Sequence, residues 1–197
     1  MKKNGGKIVT TVLAMAIFSA IIIYVYARLV NPSTTTKLKS NESEVQILMN
    51  KDLNGNYPKT PREVMKMYAR ITKCIYSTEM SANEFSALAD QLRLLFDTEL
   101  LADNPRDMHL AKVKAEVEDY IDKNKTIMSC KIESSNDIEY QKISGEDCAR
   151  VYIMFMTKEG SKYSKNYEEF ILREDNAGDW KILGWQKANE PAVDMEE

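Results

Sequence analysis

Histidine is nearly missing from this chain: His109 is the one example in 197 residues. A lone imidazole makes most hydrolase and metalloenzyme layouts hard to build, and no nucleophile-elbow pattern accompanies it. Cysteine is scarce too. Cys74, Cys130 and Cys148 have no C-x-x-C spacing, so no zinc site is expected, nor any other cofactor. Each thiol fits an apolar face and is read as buried and free. A Cys130–Cys148 bridge stays open should their strands approach. Basic charge is lacking where nucleic acid would need it: residues 31–197 carry 23 basic and 30 acidic residues, a net of −7. Phosphate binding requires a basic face, so nucleic acid is excluded as a partner. His109 lies beside Asp107 in the first turn of a helical segment and is read as a surface or helix-start residue. The eleven methionines are scattered and read as core filler and membrane residues.

What the sequence has is a long uncharged run. Ile8 to Ala27 holds 20 residues without a charge. At 1.5 Å rise per residue, about 20 residues cross a hydrocarbon core of about 30 Å. Lys2, Lys3 and Lys7 precede the run and Arg28 follows it, so the positive flank places the N-terminus in the cytoplasm and the rest outside. Tyr24 and Tyr26 suit the far interface. A signal peptide cleaved near Ala27 is the alternative, although secretory apolar regions are usually about 7–15 residues. The organisation expected is a basic tail over 1–7, a transmembrane helix over 8–30, a polar linker over 31–50, a domain over 51–187 and an acidic, frayed tail over 188–197. Within the linker, Val45–Met49 is a short apolar patch suited to docking on the domain.

The domain opens with Asp52-Leu53-Asn54-Gly55-Asn56. It superficially matches a calcium loop, but Tyr57 stands where the sharp turn needs glycine. Asn54-Gly55 instead favours a tight turn. Thr60-Pro61-Arg62-Glu63 is a capping box with proline at the first helical position. Behind it Val64, Met67, Tyr68, Ile71, Cys74 and Ile75 recur at helical spacing. Ser81-Ala82-Asn83-Glu84 opens a second helix, with Phe85, Leu88, Leu92, Leu95 and Phe96 on one side. Asn104-Pro105 marks a third, with Leu110, Val113, Val117, Tyr120 and Ile121 inward. From Thr126 the period becomes two: Met128, Cys130 and Ile132 alternate, then Ile138 and Tyr140. Cys148–Met156 is apolar on both faces, as in a central strand covered on both sides. Glycine-bearing turns then join Tyr163–Arg173 to Trp180–Gln186. Loops this short permit only antiparallel neighbours. The fold class expected is α+β, three helices followed by a curved antiparallel sheet.

The ending resembles a known fold. Tyr167-Glu168-Glu169-Phe170-Ile171-Leu172-Arg173, a turn carrying Asp175 and Gly178, and Trp180-Lys181-Ile182-Leu183-Gly184-Trp185 look like the terminal hairpin of nuclear transport factor 2-like domains. With the Asn56-Tyr57-Pro58-x-Thr60-Pro61-Arg62-Glu63 opening and the N-terminal span, the chain is similar to an uncharacterised family of bacterial membrane-anchored proteins. The resemblance covers about residues 50–187. It departs from many members of the superfamily in placing every strand after the helices. It implies a cone-shaped domain and no particular activity, because that fold hosts enzymes, assembly modules and binding domains alike. By face and by analogy with that fold, Met67, Ile71, Phe96, Tyr152 and Trp185 are the candidate pocket residues. Tyr68, Tyr76, Tyr120 and Tyr140 are further tyrosines at core-edge positions. The function expected is a non-catalytic module at the cell membrane that binds a protein partner or a small apolar ligand, its soluble part monomeric. A structural component of a secretion or sporulation-type envelope assembly is the alternative, and an isomerase- or dehydratase-like enzyme the second.

Overall fold

The computed structural model describes residues 43–196. The apolar run at 8–27 and the linker up to residue 42 lie outside the described residues. Among those described, no helix is long and apolar enough to cross a membrane. Residues 43–197 form a compact unit by themselves.

Five helices precede six strands among the described residues. Helix α1 (Glu44–Met49) starts on Ser43, whose side chain accepts from the Gln46 N–H, and it buries Val45 and Leu48. The patch that looked suited to docking therefore docks, and the compact unit begins inside the stretch assigned to the linker. Asp52 then folds back on its own backbone, Oδ1 accepting from the Asn54 and Gly55 amides at 3.1 and 2.8 Å. That spends the carboxylate on an Asx turn, which accounts for the loop without a cation.

Helix α2 (Pro61–Ser77) and helix α3 (Ala82–Arg93) each begin with a reciprocal capping box, Thr60 with Glu63 and Ser81 with Glu84. Both boxes satisfy amides that would otherwise be orphaned at the helix start. Helix α2 is the central helix. Val64, Met65, Ile71 and Ile75 on it are almost wholly buried. A short α4 (Thr98–Asp103), capped by Asp97, was not expected from the sequence. Helix α5 (Arg106–Asp122) differs from its sequence expectation. Its buried residues are His109 and Val113, whereas Ile121, expected inward, is 70% exposed.

The strands are β1 (Lys125–Glu133), β2 (Glu139–Ile143), β3 (Glu146–Glu159), β4 (Lys162–Glu174), β5 (Trp180–Ala188) and β6 (Met195–Glu196). They form one antiparallel sheet in the order β5-β4-β3-β1-β6, and β2 pairs with the start of β3. The β2–β3 turn holds Ser144 and Gly145 at φ 55 and 93, the double positive φ of a type I′ hairpin. A bulge between Ile127 and Ser129 pushes Met128 out to 45% exposure, so Ile127, not Met128, shares the helix-facing side with Cys130 and Ile132. That inner face continues through Val151, Ile153 and Phe155 of β3 and Phe170 and Leu172 of β4.

Two joints hold the sheet's ends. Ile182 of β5 exchanges backbone hydrogen bonds of 2.8 Å with Leu95 and Asp97, so the α3–α4 link runs parallel along the edge strand. At the far end the tail, expected to fray, returns across the outer face. Glu190 accepts from the Tyr167 hydroxyl, the Asp194 carbonyl accepts from the Ser134 amide at 2.8 Å, and β6 pairs with β1. The opening and closing motifs also meet: Tyr57 Oη donates to the Trp180 carbonyl at 2.9 Å, and Lys181 Nζ lies 3.6 Å from the Tyr57 ring centroid.

Candidate functional site

Helix α2 presents Tyr68, Thr72 and Tyr76, four residues apart, along one row. Helix α5 faces it with His109, Val113, Glu116 and Tyr120 at the same kind of spacing. Below them the inner face of the sheet supplies Ile127, Phe155, Thr157, Asn166, Glu168 and Trp185. Together these residues line a cavity of about 830 Å³ open to solvent, with Leu92 and Phe96 at one end. It exists because α5 buries so little of itself: the helix stands off the sheet instead of packing down on it.

One wall is aromatic. Trp185 stacks on Phe170 at 5.7 Å between centroids and lies 5.9 Å from Phe96 and 6.3 Å from Tyr68. Trp185 is still 43% exposed, which is unusual for an indole at the centre of an aromatic cluster. His109 sets its ring edge-on to Phe96 at 5.5 Å. The opposite side carries Tyr76 and Tyr120, edge-to-face at 4.9 Å, with Lys125 Nζ 4.4 Å from the Tyr120 centroid.

Several polar groups here are left without partners. His109, read from sequence as a surface residue, is 8% exposed, and its Nδ1 has no hydrogen-bond partner among the described residues. Burial, and then the charge of Arg93, hold its pKa below the ordinary histidine value, so the ring is neutral at neutral pH. Glu168 pairs across the sheet with Ile153 and Lys187, which turns it to the helix side. Its carboxyl has neither hydrogen bond nor ion pair among the described residues. Burial pushes its pKa up, and the nearby Glu116 charge pushes it further. Glu116 accepts from Tyr76 Oη at 2.5 Å. Burial, then that contact, keep the Tyr76 phenol protonated far beyond its ordinary range.

Of the candidate residues read from sequence, Phe96 and Trp185 line this cavity. Met67 and Ile71 lie instead in the packed core, since α2 turns the row through Tyr68 toward the open space. Tyr152 points to the outer face. Its hydroxyl meets Glu169 at 3.0 Å, and its amide donates to the buried Glu133 carboxylate at 2.9 Å, where β3 passes the gap between β1 and β2. Tyr68, Tyr76 and Tyr120 line the cavity; Tyr140 is 59% exposed against Trp180. His109, Glu116 and Glu168 were not among the candidates. The available signals were the 109–113–116–120 spacing on α5 and an acid at an inward position of β4, beside Phe170 and Leu172.

The three cysteines are free and unbridged. Cys130 is paired with Phe155 in register while Cys148 lies seven residues earlier on β3, a separation of about 23 Å. A disulfide needs Cα atoms within about 7 Å, and all three cysteines are free. Burial raises the Cys130 pKa to about 11, so it remains a thiol. Among the described residues no group of His, Cys, Asp and Glu is arranged to hold a metal ion.

The molecule is thus an α+β domain whose helices and antiparallel sheet leave a solvent-open aromatic cavity between them. A family model described as a domain of unknown function (DUF6715) matches residues 1–185, and the chain belongs to that family. No curated protein matches the chain.

Proposed function

We propose that this chain is a single-pass bacterial membrane protein whose extracytoplasmic domain, of the nuclear transport factor 2-like type, binds a small ligand without transforming it. The carrying observation is the cavity of about 830 Å³, within the roughly 300–1,000 Å³ usual for small-molecule sites. Its composition supports the same reading: a continuous aromatic wall for an apolar body, and a few convergent polar groups to orient it. The membrane half of the reading is supported by the uncharged run from Ile8 to Ala27 behind three lysines. The thiols stay protonated, and among the described residues no nucleophile is paired with the neutral imidazole, which supports binding over group transfer.

Saturation-transfer NMR on the full chain in a non-ionic detergent tests this with 2-phenylethanol, indole and phenethylammonium, against empty micelles as reference. Saturable transfer to at least one probe is expected, weakened about fivefold or more in Trp185→Ala, which removes the centre of the wall. A chain that shows no saturable transfer to any of the three is not a small-ligand binder of this kind.

A further inference from the structure

Within that cavity, and resting on the ligand-binding reading, we infer that the ligand is an organic cation: an apolar or aromatic body carrying an ammonium group. The body lies against Tyr68, Phe96 and Trp185, and the ammonium lies between Glu168 and Glu116.

Three observations carry this. First, Glu168 is half-buried, faces the cavity, and has no donor or cation of its own among the described residues. Placing a carboxyl in such a position is unfavourable unless something positive or hydrogen-bonding arrives to meet it. Second, a further carboxyl, Glu116 on α5, lines the same cavity and its charge acts on Glu168. Two acids facing one space repel, and a single cation between them relieves both. Third, His109 is more than nine-tenths buried, lines the same cavity, and leaves Nδ1 without a partner. The neutral imidazole offers a polar contact at the aromatic end of the space.

The rim lysines do not supply the missing charge. Lys112 and Lys187 are exposed, and Lys125 lies over the Tyr120 ring. None of the three forms an ion pair with Glu116 or Glu168. The aromatic wall fits the same ligand class, because the faces of Trp and Tyr carry negative electrostatic potential and attract cations. Trp185 and Glu168 sit diagonally across the β4–β5 pair, close enough for one ligand to touch both. An anionic ligand would meet the Glu116 and Glu168 carboxylates, and a neutral donor would hydrogen-bond to Glu168 without offsetting the charge of the two acids.

The test compares three probes of similar size on the full chain in non-ionic detergent: phenethylammonium, neutral 2-phenylethanol and anionic 3-phenylpropionate, each titrated calorimetrically. The expected result is phenethylammonium tighter than 2-phenylethanol by about tenfold, with 3-phenylpropionate weakest. Glu168→Gln should cut that preference to about twofold or less, chiefly by weakening phenethylammonium, because the aromatic wall is intact. Near-UV circular dichroism checks the fold of the variant, and Glu116→Gln gives a second, independent reduction should Glu168→Gln alter it. Equal binding of phenethylammonium and 2-phenylethanol, or an undiminished preference in both variants, overturns the cation assignment and leaves the binding module standing. Failure of all three probes overturns the cation assignment together with the reading on which it rests.

Discussion

Arg173 engages three carboxylates at once. Its guanidinium reaches Asp97 through Nε at 3.0 Å and Nη2 at 2.5 Å, while Nη1 meets Glu99 at 2.9 Å and Glu146 at 2.7 Å. Asp97 is 4% exposed and also caps α4, accepting from the Glu99 amide at 2.9 Å. The bidentate pair with Asp97 ties β4 to α4, with the planar fork that suits a carboxylate, and the Glu146 contact adds the start of β3. Arg173→Ala leaves Asp97 buried without its cation, and a loss of about 3–5 kcal/mol is expected, read from urea unfolding. Burial works to raise the Asp97 pKa, but the Arg173 contacts and the Glu99 amide outweigh it and hold the pKa below the ordinary aspartate value. A depressed carboxyl stabilises the fold fully above its unfolded value, and that stability is lost as pH falls through the lowered one. The gap between wild type and Arg173→Ala should therefore narrow as the solution is acidified below the aspartate range. A pH-independent gap would place the stabilisation in packing instead.

At the scale of elements, capping chemistry and periodicity placed α2 and α3 correctly, since local hydrogen bonds fix where those helices begin. α5 obeyed the helical period but not the burial expected from it. A hydrophobic stripe states only that a helix has an apolar side, not that the sheet beneath comes close enough to cover it. The bulge at Met128 likewise altered which β1 residues face inward, and a single inserted residue leaves little trace in alternation. The returning tail differs from its expectation because its residues are polar and acidic, yet they hold it down through Glu190 on the buried Tyr167, Asp194 on Ser134 and the pairing of β6 with β1. Deleting residues 189–197 should expose Tyr167 and unpair the edge of β1, and cost about 2 kcal/mol, measurable as a lower urea midpoint. An unchanged midpoint would return the tail to a passive role.

On the scale of the whole molecule, the N-terminal run and the compact unit answer different questions. Residues 1–30 carry four basic and no acidic residues, and the remainder is acidic. A reporter fused after Glu197 should be active only outside the cytoplasm, and cytoplasmic fluorescence from the fusion would overturn the orientation. A purified product beginning at Arg28 would establish cleavage instead of anchoring.

The sequence by itself determined what depends on near neighbours: the apolar run and its flanks, the two capping boxes, the turn glycines, the antiparallel order of strands joined by short loops, and the class α+β. These follow from spacing, charge count and local hydrogen bonding, which act within a few residues. Tertiary structure alone decided where His109 sits, that Glu116 and Glu168 line one cavity, and that Cys130 and Cys148 are held far apart. It also decided that Tyr68, not Met67 or Ile71, looks into open space. Those outcomes depend on how far α5 stands from the sheet and how the strands register, and both are set by packing between segments distant in sequence, for which periodicity carries no signal.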